Sequence, residues 1–273
     1  MLFRSIKSFL TNLKSHRGQR SYSQSGEDLI VRFIFNILGI ARPSYIDIGA
    51  HHPFFLSNTA HFYWYGSRGI NIEPNPLLFD AFIKHRKHDI NLNIGALDHP
   101  GEMDFYVMSP PTMSTFSEKD AKNLVAQHKF KIQEKRKIRV ETINEVLTKY
   151  AYGASPEFFS IDVEGFEKQI LNSIDFMTWC PKVICCETMS FSTTGEGKKD
   201  LTIAEHLKSR GYMVYADTYI NTIFVLENVW KAQQPTVTKV GATNESTRLE
   251  LLHPGFYHAS KNGPPTVEPD PKR

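Results

Sequence analysis

Cysteine is scarce in this chain of 273 residues: only Cys180, Cys185 and Cys186, an odd number with two adjacent in a strand-like run. That excludes a disulfide framework and leads us to expect reduced thiols in a reducing, cytoplasmic compartment. Long apolar runs are absent as well. No stretch approaches the roughly 18 apolar residues that a membrane-spanning helix needs. An excess of one charge is missing too, and a net +3 is too small to imply a nucleic-acid partner. The remaining composition is that of a soluble globular protein, long enough to bury a core as one large α/β domain or two small ones.

The two ends differ from the middle. Residues 1–20 carry Arg4, Lys7, Lys14, Arg17 and Arg20 and no acid, with Leu2, Phe3, Ile6, Phe9, Leu10 and Leu13 at helical spacing. This is the pattern of a basic amphipathic helix, which either packs on its own domain or makes peripheral contact with an anionic inner membrane face. From Trp230 onward the pattern fades. Residues 231–273 are expected to form a partly disordered extension, ending in the proline-rich "GPPTVEPDPKR".

Residues 21–230 alternate. Strand-like runs at 44–49, 69–74, 90–98, 157–162 and 182–187 are separated by helical runs, and 212–228 reads as two strands joined by a turn. The pattern predicts an α/β fold with a mostly parallel sheet, right-handed crossovers, helices on both faces and a terminal antiparallel hairpin. Residues 116–137 are charged and helix-prone, and read as an exposed insertion. The aromatic run "HFYWYG" at 61–66, with Cys185 and Cys186, reads as core.

Ligands of open α/β sheets bind beyond the carboxyl ends of the strands. Asp47 and Gly49 end the first strand of the alternation, and Glu73 ends the second. A glycine lets the backbone turn tightly beneath a ligand. An acid at the end of the second strand suits both hydroxyls of a ribose, although Asp47 also suits a turn cap and Glu73 a surface acid. A dinucleotide requires G-x-G-x-x-G to hold its pyrophosphate. Here Gly49 is followed by Ala50, His51, His52, Pro53 and Phe54, so the second and third glycines are missing. S-adenosylmethionine has no phosphate and requires only the first close approach. The loop therefore favours a methyl donor, with a dinucleotide-dependent oxidoreductase as the alternative.

The segments "SYSQSGEDLIV", "YIDIGAHHPFFLSNT", "GINIEPNP", "NIGALD", "FFSIDVEGFEKQIL" and "VICCE" occur in this order. Together they resemble the FkbM family of S-adenosylmethionine-dependent methyltransferases. The resemblance implies a class I, Rossmann-like methyltransferase fold and methyl transfer to a hydroxyl of a sugar, glycan or glycosylated natural product. By position it implies that Asp47, Gly49 and Ala50 form the first cofactor loop, that Glu73, followed by Pro74, takes the ribose, and that Gly95 and Ala96 flank the adenine. It further implies that Gln24 reaches the methionine end. "GAHHP" departs from the commoner Gly-Ala-Asn-x-Gly loop, and polar contacts are expected instead from Ser57, Asn58 and Thr59.

A hydroxyl must lose its proton before it attacks, to a general base or on a metal. Asp162 and Glu187 end two further strands and Glu164 begins the next helix, all toward the rim that holds Asp47. Asp162 and Glu187 are candidate ligands of Mg²⁺ or another divalent cation, and Asp162 is also a candidate cofactor contact. His51 or His52 is a candidate base, and Asp162 and Glu164 are candidate catalytic acids. Glu167 and Lys168 read as a solvated helix face. A chain that binds the cofactor without turnover is the remaining alternative. The acceptor and the oligomeric state are not readable.

Overall fold

The computed structural model describes residues 19–128, 130–189 and 197–233. The predicted amphipathic helix, except for its last two residues, and nearly all of the carboxy-terminal extension lie outside them.

A seven-stranded sheet is the frame. In chain order its parallel strands are β1 (Tyr45–Ile48), β2 (Gly69–Ile72), β3 (Ile90–Leu92), β7 (Phe158–Ile161) and β8 (Val183–Glu187), completed by the hairpin β9 (Tyr212–Asp217) and β10 (Asn221–Leu226). The spatial order is β3-β2-β1-β7-β8-β10-β9, and β10 alone runs against its neighbours. This is the mostly parallel sheet with an antiparallel end that the alternation predicts. The strands are short and buried on both faces: every residue of β1 and of β7 is buried. Such strands read as continuous apolar runs rather than as alternating ones.

Each face has its own core. One packs Ile46, Ile48, Phe159, Ile161, Ile184 and Phe224 under α5 (Ile143–Tyr150), α6 (Glu167–Ser173) and α7 (Leu201–Ser209). The other packs Tyr45, Phe158, Val183, Cys185 and Ile223 under α1 (Glu27–Ile37) and α2 (Ala60–Trp64). Cys185 and Cys186 are core as expected, and the three cysteines are free. The aromatic run divides: His61 and Phe62 are buried, Trp64 and Tyr65 half exposed. The remaining helices are α3 (Pro76–His85), capped by Asn75, and α8 (Glu227–Lys231). Among the described residues no helix is long and apolar enough to cross a membrane.

Two expectations are corrected. Residues 90–98 are not one strand. β3 stays in the main sheet, whereas β4 (Gly95–Leu97) joins a second sheet of order β4-β6-β5. Residues 116–137 are not one exposed helix either. They divide between α4 (Glu118–His128) and the start of β6 (Lys131–Thr142), which pairs antiparallel with β5 (Gly101–Ser109). Charged residues face outward on this ribbon, and the ladder with β5 supplies the order that an apolar stripe would otherwise supply. α4 does bury a short stripe, Ala121 and Leu124, against Tyr106 and Met108.

Candidate functional site

The carboxyl ends of β1, β2, β7 and β8 open on a cavity of about 610 Å³, within the usual range of small-molecule sites. Its polar side comes from the strand ends: Asp47, Glu73, Ser160, Asp162 and Glu187, with Asn221 from β10. Much of its apolar side comes from the stretch from β5 to β6: Phe105 on β5, Leu124 on α4, and Met113, Phe116 and Phe130 in the connecting segments.

Asp47 is buried and raised above its ordinary carboxyl range by that burial, against hydrogen bonds from Thr59 and Ser160 and the charge of Arg86. Thr59 Oγ1 donates to Asp47 at 2.6 Å and accepts from the fully buried Arg86 guanidinium at 2.6 Å. Gly49 is at φ 78°, and a Cβ there would lie 1.8 Å from the backbone oxygen of Asp162. The glycine is thus demanded by the neighbouring strand end, not by a ligand above it. Ala50 lines the cavity. So does Asn58, whose Nδ2 donates to Ser160 Oγ at 3.2 Å.

Glu73 is 5 % exposed. Its Oε2 accepts the His51 N–H and its Oε1 the Asn75 N–H, both at 2.7 Å. Burial pushes its carboxyl up to about 8, against those two donors and with the charges of Asp47 and Asp162 adding to the rise. Asn93 Nδ2 donates to the carbonyls of Glu73 and Pro74 and pins the turn. A buried acid oriented in this way beside a cavity fits a ribose diol. The loop does not fit a pyrophosphate, because eleven residues separate Ile48 from the start of α2 at Ala60. No helix N-terminus therefore follows the glycine turn directly.

The two histidines part company. His51, in the left-handed region at φ 52°, lines the cavity. Burial, with the charge of His52, lowers its pKa, so the imidazole is neutral and able to accept a proton. His52 does not line the cavity. Its Nδ1 accepts the backbone N–H groups of Phe54 and Phe55, which holds the loop in shape.

Gln24 lines the cavity. The segment around it is tied by Asp28, which accepts from Ser21, Ser23 and the Tyr22 N–H, and by Glu27. Glu27 is buried, which works to raise its carboxyl, but hydrogen bonds from Thr218, Ser25 and Asn221 outweigh this and lower it. Of the adenine pair, Ala96 lines the cavity. Gly95 does not, and a Cβ there would strike Phe116 and Val140.

Asp162, Glu164 and Glu187 all line the cavity. Burial and mutual repulsion raise all three, and Asp162 and Glu187 share a hydrogen bond. Like charges this close do not both ionise, so the pair holds a proton. Glu164 does not begin a helix: it sits at φ 54° in the loop before α6. Glu167 corrects a further expectation. It is 5 % exposed, accepts the Val163 and Gly165 N–H groups, and brings an oxygen within 4.8 Å of Asp162 and Glu187. Its signal was the run "DVEGFE", which places three acids within six residues. Asn221 was also missed, as a polar residue opening an apolar strand.

The model of the Methyltransferase FkbM domain matches residues 47–214. No curated protein matches the chain. Among solved structures, a TehB-like SAM-dependent methyltransferase from Corynebacterium glutamicum is similar at 10 % identity over 82 % of this chain and 97 % of that one, with a TM-score of 0.40. The precorrin-6y C5,15-methyltransferase from Geobacter metallireducens is similar at 14 % identity over 72 % and 87 %, with a TM-score of 0.35.

Proposed function

The chain belongs to the FkbM methyltransferase family, and from that premise we propose that it transfers the methyl group of S-adenosylmethionine to a hydroxyl oxygen of a sugar, glycan or glycosylated natural product. The observation that carries the reading is Glu73, buried at the end of β2 with both carboxylate oxygens set by backbone N–H groups. When bound, the cofactor supplies an electrophilic sulfonium methyl.

The residues of the chain do the rest. Glu73 accepts the ribose hydroxyls, with Pro74 beside it. Asp47, Gly49, Ala50 and Asn58 form the floor under the methionine portion, Gln24 closes it from the amino-terminal side, and Ala96 meets the adenine. The acceptor hydroxyl lies toward β7 and β8. There Asp162 and Glu187, sharing one proton, or the neutral His51, take its proton as the oxygen attacks in line. Carboxyls raised toward neutrality suit that exchange.

Calorimetric titration with S-adenosylhomocysteine, NAD and NADP in turn tests the cofactor. One-to-one binding of S-adenosylhomocysteine alone is expected, and binding of NAD or NADP in its place overturns the reading in favour of an oxidoreductase. S-adenosylhomocysteine binding with no turnover on any hydroxyl acceptor would mark a non-catalytic binding module. The free thiols suit a cytoplasmic setting. Residues 1–20 are proposed to touch an anionic inner membrane face. Co-sedimentation with anionic liposomes that is unchanged by their removal would sink that idea.

A further inference from the structure

Three carboxylates meet at the edge of the cavity: Asp162 and Glu187 line it, and Glu167 lies beside them. Asp162 follows β7, Glu187 ends β8 and Glu167 opens α6, and one oxygen of each lies within 4.8 Å of the others. Among the described residues no lysine, arginine or histidine forms an ion pair with any of them. Glu187 also lines a second cavity, of about 290 Å³, together with Glu167, Gly165, Thr188 and Asp200. The cluster therefore stands between two openings.

A second observation comes from another strand. Asn221 is 2 % exposed and lies directly opposite Glu187 in the antiparallel pairing of β8 and β10. Residues so paired put their side chains on the same face, with Cβ atoms about 5 Å apart. Asn221 Nδ2 donates to Glu27 Oε1 at 3.2 Å. A carboxylate only accepts, so this contact fixes which end of the amide is nitrogen. The opposite end, Oδ1, is buried and has no hydrogen-bond partner among the described residues. A buried acceptor without a donor is costly, and its place beside Glu187 asks for something positive.

We propose that Asp162, Glu167 and Glu187 hold one divalent cation of the magnesium or manganese class, with the amide oxygen of Asn221 as an uncharged fourth ligand. Hard cations take oxygen donors of these two kinds, and magnesium keeps several waters besides. Glu167 already receives two backbone N–H groups, which hold its carboxylate in place for the ion. Glu27 is then a positioning residue, acting through the orientation of Asn221. The site deepens the methyl-transfer reading and rests on it in one respect: with the ion bound, Asp162 and Glu187 give up the proton they share and serve as ligands, so the acceptor hydroxyl would lose its proton to His51 or to solvent.

The test is titration of the full chain with MnCl₂, followed by electron paramagnetic resonance and calorimetry, and with MgCl₂ in competition. One Mn²⁺ per chain, displaced by Mg²⁺, is expected. Glu167→Gln and Glu187→Gln should each weaken it at least tenfold, and Asn221→Leu severalfold. Melting temperature with and without Mn²⁺ separates lost binding from lost folding: the ion raises it in the wild type by mass action and leaves the Gln variants unmoved. Glu27→Gln should weaken Mn²⁺ without touching a ligand, with Glu27→Asp restoring part of the affinity. Absence of Mn²⁺ binding, or equal binding in the Gln variants, overturns the site. S-adenosylhomocysteine titrated in parallel keeps the two readings apart. Its binding without Mn²⁺ overturns the cation alone, and Mn²⁺ binding without it overturns the cofactor alone.

Discussion

The backbone N–H of His51 donates to Glu73 Oε2 at 2.7 Å, joining the loop after β1 to the acid that ends β2. On the proposed reading, ribose recognition is therefore built across two strands. Replacing Glu73 by Ala should weaken S-adenosylhomocysteine about 10- to 100-fold, the range of a charged hydrogen bond of about 1.5–3 kcal/mol. The affinity should also depend on pH. Glu73 loses its proton near 8 in the folded apo-protein, and the ribose diol requires the carboxylate. Binding should strengthen as pH rises toward 8, and below that value fall by up to about tenfold per unit. Glu73→Gln should flatten the profile. A wild-type profile flat from about pH 6 to about pH 8 would refute the ribose assignment.

The same acid affects stability in the opposite direction. Unfolded, Glu73 titrates near 4.5, and folded near 8. Between these values the native state holds the extra proton, so its contribution is complete below 4.5 and is lost as pH rises through 8. Asp162, Glu164, Glu167 and Glu187, all raised by burial, act in the same sense. The apo-protein should melt lower at about pH 8.5 than at about pH 5.5, and Glu73→Gln should narrow the gap. Calorimetric scans at the two pH values decide it.

His52 and His51 should separate by experiment. His52→Ala removes the acceptor of two backbone N–H groups that water partly replaces, and should cost about 0.5–1.5 kcal/mol in urea unfolding. His51→Ala should leave stability nearly unchanged and lower turnover. Equal loss of stability in both would contradict the division of roles.

Gly49→Ala should not give folded protein, since its Cβ would lie 1.8 Å from a backbone oxygen that cannot move without β7. Gly165→Ala provides the contrast. It meets nothing within 4 Å and has only φ 102° against it, at about 1–3 kcal/mol. Soluble expression and circular dichroism compare the two.

Arg86→Met should destabilise by about 3–5 kcal/mol, because it strips a buried charge from its partners. Asp89 at 3.1 Å loses its ion pair, and Thr59 loses the donor that orders it against Asp47. Thr59→Val should cost less and still weaken S-adenosylhomocysteine, through Asp47. Chemical denaturation and cofactor titration of both variants measure the two effects.

How much was legible follows from what each residue signals alone. Glu73, Asp162 and Glu187 stand at the end of short, largely apolar runs, with Asp47 one residue short of the end of another, and a buried parallel strand with an acid at its end announces both the strand and the rim. Glu167 was not legible as buried. Lys168 and Gln169 beside it are polar, and only the turn at Glu164 and Gly165 brings it back toward the Val163 and Gly165 N–H groups. Asn221 was hidden for another reason: its partner Glu187 is thirty-four residues away and is set only by antiparallel register. The β5–β6 ribbon escaped because residues 131–137 are almost all exposed, so no side-chain period marks the strand. Gly49 lines the cavity, but the atom that forbids a side chain there is the backbone oxygen of Asp162, just after β7, rather than a ligand.

The cavity has two makers. Its carboxylates stand on the ends of the main-sheet strands, while much of its apolar wall comes from one uninterrupted stretch, residues 95–142, that leaves the main sheet after β3 and returns at α5. On the proposed reading, chemistry and selectivity are thus written in different parts of the chain: replacing that stretch would change the shape offered to an acceptor while leaving in place the strand ends assigned to the methyl donor.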